Sequence, residues 1–270
     1  MVELDPNFAV TSAIRYDPTL SSSSSSSFDS LKRNLDPSVF FLFPRHVARL
    51  NTAHDYYWPE LAHDNSSTVT ATDLLPELYH VVARDPAKHW RLRTLVHKQG
   101  EITVEGNIVP PRGDDLFSGL RAHASAQDPH AWVVYIDTKA TPQSIFTAHK
   151  TTVRDPYSAA RDRVLPKDTP ISAKIEVLLY NANDQFTEGS LTNVAFFRNN
   201  EWVTPSSSTV GGLRGSVRAE LLDRGIIKEV DHDQAVLKQS VKEGEKVLLF
   251  NGIQGVVAGF VRLGPYRDES

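Results

Sequence analysis

The chemistry in this chain gathers on a few residues. VGGLRGSV, at Val210–Val217, directly precedes a helix marked by Val217, Leu221 and Leu222. Glycines let backbone amides face outward, and the first turn of a helix adds unpaired N–H groups and partial positive charge, so a phosphate could sit there. The loop lacks the Gly-Lys-Ser of a Walker motif, and no strand-helix-strand unit with a downstream acid makes it a dinucleotide fingerprint. A tight strand-to-helix turn is the plain alternative. Lys150 follows the apolar run IFTAH, and partial burial is what an amine needs to become a nucleophile; ordinarily a lysine is solvated. Lys174, in SAKIEV, reads as the edge of a structural strand. Arg91, Arg93, His97 and Lys98 on WRLRTLVHK could grip a carboxylate, an arginine fork suiting it best, or could form a solvated hairpin face. Of the ten histidines, His46 and His54 are eight apart, His63 stands in a loop, and no HExxH occurs. No metal site is expected, and no GxSxG elbow supports a serine hydrolase.

Those residues need elements to position them. Phe8–Tyr16 reads as a strand ending at Asp17-Pro18, followed by the serine run Ser21–Ser27 as a hairpin loop. Val39–Phe43 is a short apolar strand, after which Pro44 opens a helix through Tyr57, and Ser67–Arg84 is a second helix. Trp90–Val96 and Glu101–Val104 form a hairpin about Gln99-Gly100, and Ala131–Ile136 is a buried strand. The polar stretch Asp137–Gln143 divides a small α/β domain, 1–138, from a second domain, 139–270. The second half has strands at Ile145–Ala148, Ile175–Tyr180, Ile226–Val230, Lys246–Asn251 and Gly255–Leu263, and helices at Pro156–Val164 and Ser216–Arg224. Strands outnumber helices there, which predicts a barrel or curled sheet in an α+β protein.

Composition removes other classes. Of 270 residues, 40% are hydrophobic and 23% charged, as in an ordinary globular protein. A net charge of -4 without a Lys/Arg cluster argues against nucleic acid or an anionic membrane as partner. With no cysteine, disulfides, thiolate nucleophiles and Cys-ligated metals are excluded. No apolar run approaches the roughly eighteen residues of a membrane span. A soluble cytoplasmic protein is the expectation.

TEGSLTN (Thr187–Asn193), Thr204-Pro205, Gly215-Ser-Val-Arg218 and HKTTVRDPY (His149–Tyr157) occur in the order and rough spacing of one family. The chain resembles the class IV aminotransferases, pyridoxal-phosphate enzymes of fold type IV. FPRHVARL and FAVTSAIRYD extend the resemblance over most of the chain. It implies a small N-terminal domain, a C-terminal pseudo-barrel and a homodimer. It also implies that Lys150 carries pyridoxal 5'-phosphate as a Schiff base, with Glu188 facing the pyridine nitrogen and Asn193 beside it. Arg49 and the backbone of Gly215, Ser216 and Val217 would hold the phosphate, with Asn251-Gly252 adding a contact. Val217 stands where many relatives place a threonine, so the backbone must suffice there. Outside the resemblance, Glu188 reads as a solvated loop acid and Arg49 as a surface helix arginine. Arg154, four residues after Lys150, resembles the Lys-x-x-x-Arg pattern of the 4-amino-4-deoxychorismate lyases and is a substrate candidate, or pairs with Asp155 or Asp162. The resemblance is nearest to fungal lyase-like members and implies that reaction; transamination of D-amino acids or (R)-amines is the alternative, and a non-catalytic cofactor-binding homologue the third reading.

Overall fold

The computed structural model describes residues 5, 7–21, 27–62, 67–112, 115–121, 128 and 130–266. Most of the serine run (22–26) and His63 lie outside them. In chain order the elements are β1 (Val10–Tyr16), α1 (Phe28–Arg33), α2 (Phe43–Tyr57), α3 (Ala71–Val82), β2 (His89–Val96), β3 (Ile102–Val109), β4 (Trp132–Ile136), α4 (Ile145–Ala148) and α5 (Asp155–Val164). There follow β5 (Ile175–Tyr180), β6 (Phe186–Gly189), β7 (Asn193–Arg198), β8 (Glu201–Pro205), α6 (Ser216–Asp223), β9 (Ile227–Val230), β10 (Lys246–Asn251) and β11 (Gly255–Val261). They group into two compact units, Met1–Gly113 with His149–Val153, and Asp114–Ala148 with Arg154–Ser270.

In the first unit β1, β2 and β3 make an antiparallel sheet in that order. The β2–β3 hairpin turns at Gly100, whose φ of 85° is left-handed and suits glycine. Helix α3 starts with a reciprocal capping box between Thr70 and Asp73 and buries Leu74, Leu75, Leu78, Tyr79, Val81 and Val82. Val39–Phe43 does not form the expected strand. Asp36 caps a 3-10 turn at Pro37–Val39, its Oδ1 accepting from Ser38 N at 2.8 Å, and the fixed φ of Pro37 suits that turn. Only the bridge Tyr16↔Phe40 remains of sheet pairing. The apolar residues pack as an aromatic cluster instead, with Phe40 5.1 Å from Tyr79 and 5.5 Å from Tyr16.

The second unit is built on an eight-stranded sheet ordered β6-β5-β4-β11-β10-β7-β8-β9. β4 runs parallel to β5 and to β11, and β8 parallel to β9; the other pairs are antiparallel. β6, at one edge of that order, also lies against β7 and β8 near the other, so the sheet curls back on itself. Strand β5 shows why its sequence is apolar without a break. Leu178 and Tyr180 join the core inside the curl with Phe186, Phe196 and Leu249, while Val177 and Leu179 pack beneath Tyr157 and Ala160 of α5. The fold is α+β with a small antiparallel sheet and a larger curled one. No helix among the described residues is long and apolar enough to cross a membrane.

Two expectations differ near residue 150. The break drawn at 138/139 falls inside the second unit, because β4 pairs with β5 and β11 and the chain stays with them to Ala148. Ile145–Ala148 is a helical turn, not a strand. Ser144 N donates to Thr147 Oγ1 at 2.9 Å, Thr147 Oγ1 donates back to Ser144 O at 2.9 Å, and these local bonds outcompete a ladder. The chain then joins the first unit for a few residues. Thr11 N donates to Lys150 O at 2.8 Å, Thr152 N to Ala9 O at 3.0 Å, and Thr151 bridges to Val10.

Phe186 is fully buried with its ring 5.2 Å from that of Phe196. Phe186→Ala is expected to cost about 3–5 kcal/mol of stability in urea unfolding, because the curled sheet cannot collapse onto the vacated volume.

Candidate active site

In the second unit the residues expected at the pyridine end lie together. Glu188 is the third residue of β6, set opposite Leu179 by the β5–β6 register, and is only 3% exposed. The Tyr157 hydroxyl donates to its Oε1 at 2.8 Å. Leu213 N donates to its Oε2 at 3.0 Å, and Asn193 Nδ2 reaches the same oxygen more weakly at 3.5 Å. Asn193 also donates to Leu213 O at 2.8 Å, so it ties the glycine loop to the turn after Glu188. That loop is pressed close. Gly212 has φ +104°, and a Cβ there would lie 2.9 Å from Thr187 O, while one on Gly215 would collide with Asn193 Oδ1. The alternative of a solvated loop acid fails: Glu188 is a buried carboxylate that accepts from Tyr157, Leu213 N and Asn193.

A residue not singled out in the sequence fixes this arrangement. Glu176, the second residue of β5, is completely buried. Its Oε1 accepts from Val177 N at 2.8 Å and from Ser190 Oγ at 2.5 Å; its Oε2 accepts from Leu191 N at 3.1 Å and Thr192 Oγ1 at 2.8 Å. Arg161 stands 3.9 Å from the carboxylate and donates to Ser190 Oγ at 3.1 Å. Arg154 donates to Ser190 O at 3.0 Å, with its guanidinium 5.3 Å over the Tyr157 ring. Arg154 is thus paired with the turn rather than with Asp155 or Asp162 in the contacts described. An ionisable residue inside the apolar run IEVLLY was the available signal, since a buried charge requires partners.

The phosphate candidates of this unit lie at α6. Gly215 is its N-cap, and Ser216 and Val217 occupy its buried first turn, where helical N–H groups lack intrahelical acceptors. Arg218 donates to Pro205 O at 2.8 Å and pairs with Glu229 at 2.6 Å, which anchors the helix to β8 and β9. Asn251 donates to Leu191 O at 3.1 Å and accepts from Ile253 N and Gln254 N at 2.9 and 2.8 Å, so the Asn251-Gly252 turn is pinned to the segment after Glu188.

The first unit holds Lys150 and Arg49. Arg49, on α2, donates through Nη2 to Ser12 Oγ and to Thr11 O at 3.4 Å; Ser12 Oγ meets His46 Nδ1 at 2.7 Å. Its Nε is buried without a hydrogen-bond partner among the described residues. Burial pulls the Arg49 guanidinium down to about 10. Burial also holds His46 well below its usual range, reinforced by the charges of Arg49 and Lys150 and opposed by a backbone contact from Phe41. Burial therefore favours neutral His46 beside the Arg49 guanidinium. Arg49 is no surface arginine. His149 is buried with its ring 4.7 Å from Tyr56.

Of the hairpin candidates, Arg93 pairs with Glu105 at 3.0 Å and Lys98 with Glu60 at 2.9 Å. Arg91 lies in register between Arg15 and Asn107.

The donor set suits a phosphorylated pyridine. The second unit offers a buried carboxylate for a ring nitrogen and a helix N-terminus behind a glycine cradle that a Cβ would fill. The first offers the half-buried Arg49, whose Nε has no hydrogen-bond partner among the described residues, with the charges of Arg49 and Lys150 both acting on His46.

Glu176→Gln replaces an acceptor of several bonds by an amide whose NH2 faces donors. It is expected to lower stability by about 3 kcal/mol in urea unfolding at neutral pH. His46 gives the pH dependence: its folded value lies below its unfolded one, so its contribution is complete above about pH 6.5 and is lost as the pH falls below that. Unfolding free energy should decline by up to about 1.4 kcal/mol per pH unit below that point from this group alone, and His46→Asn should flatten the decline.

Residues 27–259 match the family described as Amino-transferase class IV. A Schizosaccharomyces pombe protein provisionally named an aminodeoxychorismate lyase is 30% identical over 230 residues, covering 84% of this chain and 87% of that protein. The Saccharomyces cerevisiae aminodeoxychorismate lyase is 31% identical over 202 residues, 64% of this chain and 52% of its own length, so the match spans about half of that relative. Among solved structures, a Mesorhizobium loti protein provisionally named an amino-acid aminotransferase superposes with a TM-score of 0.66 at 23% identity, covering 94% of this chain and 100% of that one. The chain belongs to the class IV aminotransferase family, whose members are pyridoxal-phosphate-dependent enzymes.

Proposed function

We propose that Lys150 carries pyridoxal 5'-phosphate and that the enzyme converts 4-amino-4-deoxychorismate to 4-aminobenzoate and pyruvate. The observation that carries the cofactor reading is the Glu188 carboxylate, 3% exposed, which accepts from the Tyr157 hydroxyl and from Leu213 N. A carboxylate so placed can accept a hydrogen bond from a protonated pyridine nitrogen. When bound, the cofactor supplies an electron sink for charge released at the amine-bearing carbon. The reaction is supported by the two yeast relatives, both named for it.

The chain's own groups divide the work. Arg49 and the backbone at Gly215, Ser216 and Val217 bind the phosphate, with Asn251-Gly252 adjoining; Asn193 orients the loop beside Glu188. Lys150 Nζ takes the proton from the ring carbon bearing the amino group and returns one to the methylene carbon of the departing enolpyruvyl group, so the ring becomes aromatic and pyruvate leaves. Arg154, Arg91, Arg93 and Lys98 are the candidates for the substrate carboxylates, of which Arg93 pairs with Glu105 and Lys98 with Glu60. On the habit of the family, the enzyme is a cytoplasmic homodimer.

The test is to supply the cofactor-loaded protein with 4-amino-4-deoxychorismate and quantify both products. Equimolar 4-aminobenzoate and pyruvate are expected, with Lys150→Ala slower by at least about 10³-fold. Failure to form 4-aminobenzoate, together with conversion of a D-amino acid or (R)-amine to its carbonyl product, would establish the transaminase instead.

A further inference from the structure

Tyr157 has no part in the roles assigned so far, yet it makes the shortest described hydrogen bond to Glu188. Its hydroxyl, on a residue 4% exposed, donates at 2.8 Å to Oε1 of a carboxylate 3% exposed. Helix α5 aims it there: Tyr157 is its third residue, and α5 packs Tyr157 and Ala160 against Val177 and Leu179 of β5. Arg154, at the N-cap of α5, sets its guanidinium 5.3 Å over the phenol ring while bonded to Ser190 O. A cation over the ring draws electron density from it and strengthens donation by the hydroxyl. The bond therefore joins a fixed donor to a fixed acceptor.

We infer that Tyr157 is a positioning residue that keeps Glu188 a weak base, so that the proton shared with the cofactor's ring nitrogen stays on that nitrogen. This rests on the reading of Glu188 given above. A hydrogen bond to the charged form of a carboxylate favours that form. Glu188 with the phenol attached binds a proton less tightly; without it, the same carboxylate, still buried, competes for the ring proton. No bond is made or broken in the chain: the phenol proton stays on Tyr157, and what changes is where one shared proton rests. Leu213 N and Asn193 act on the other oxygen, so Oε1 is the atom Tyr157 governs.

The experiment follows the ring nitrogen directly, by 15N NMR of the enzyme loaded with ring-15N-labelled pyridoxal 5'-phosphate, alongside infrared titration of the Glu188 carboxyl, recognised by its loss in Glu188→Gln. Tyr157→Phe should move the nitrogen resonance toward its unprotonated value and raise the Glu188 titration by about 1–2 pH units. Difluorotyrosine at position 157, which keeps the shape and donates more strongly, should move both the other way, a response that loosened packing cannot give. If the nitrogen responds to Glu188→Gln but to neither change at 157, the role of Tyr157 is overturned. If it ignores Glu188→Gln as well, the placement of Glu188 at the ring falls first.

Discussion

The candidate site depends on one buried anion. The Glu176 carboxylate has no exposure to water and accepts from Val177 N, Ser190, Leu191 N and Thr192. A charge so placed is tolerable only if every lone pair is met, and three of its four close donors belong to the turn immediately after Glu188. The turn can hardly relax without orphaning the carboxylate. The direction in which β6 ends, and hence where Glu188 points, follows from that. Arg161 and Arg154 tighten the arrangement from α5 by bonding to the hydroxyl and carbonyl of the same serine.

Each unit has its own electrostatics. Around Glu188 the described donors are a phenol, an amide and a backbone N–H. Around Arg49 the partners are a serine hydroxyl, a backbone carbonyl and a histidine that burial keeps neutral, so the positive charge stays available. The glycine loop matters less as a phosphate motif than as backbone pressed so closely on Thr187 and Asn193 that a Cβ has no room.

Much of this was legible in the sequence, for reasons that differ by element. Helix α3 and the β2–β3 hairpin carry their own caps, turn glycine and periodicity, so local rules sufficed. Strand β5 was readable as a strand from its near-continuous apolar run, but Glu176 within it was not seen as an organiser, because its partners arrive from a turn that only the tertiary fold brings near. VFFLF and IFTA were misread as strands for a shared reason: an apolar run does not reveal its period when Asp36, Pro37 or Ser144 beside it can close a turn. The break at 138/139 falls inside the second unit because β4 pairs with β5 and β11, long-range pairing that composition does not record. The candidate site residues came from family resemblance more than from residue chemistry; the burial of Glu188 and Arg49 is what sets them apart from ordinary surface charges.

The central claim is that Lys150 holds the cofactor. Its most direct test is borohydride reduction of the cofactor-loaded protein, followed by proteolysis and mass spectrometry of the modified peptide. The account predicts a phosphopyridoxyl group on Lys150 alone. A label on Lys174 or another lysine, or a protein that binds the cofactor and takes no label, would contradict it.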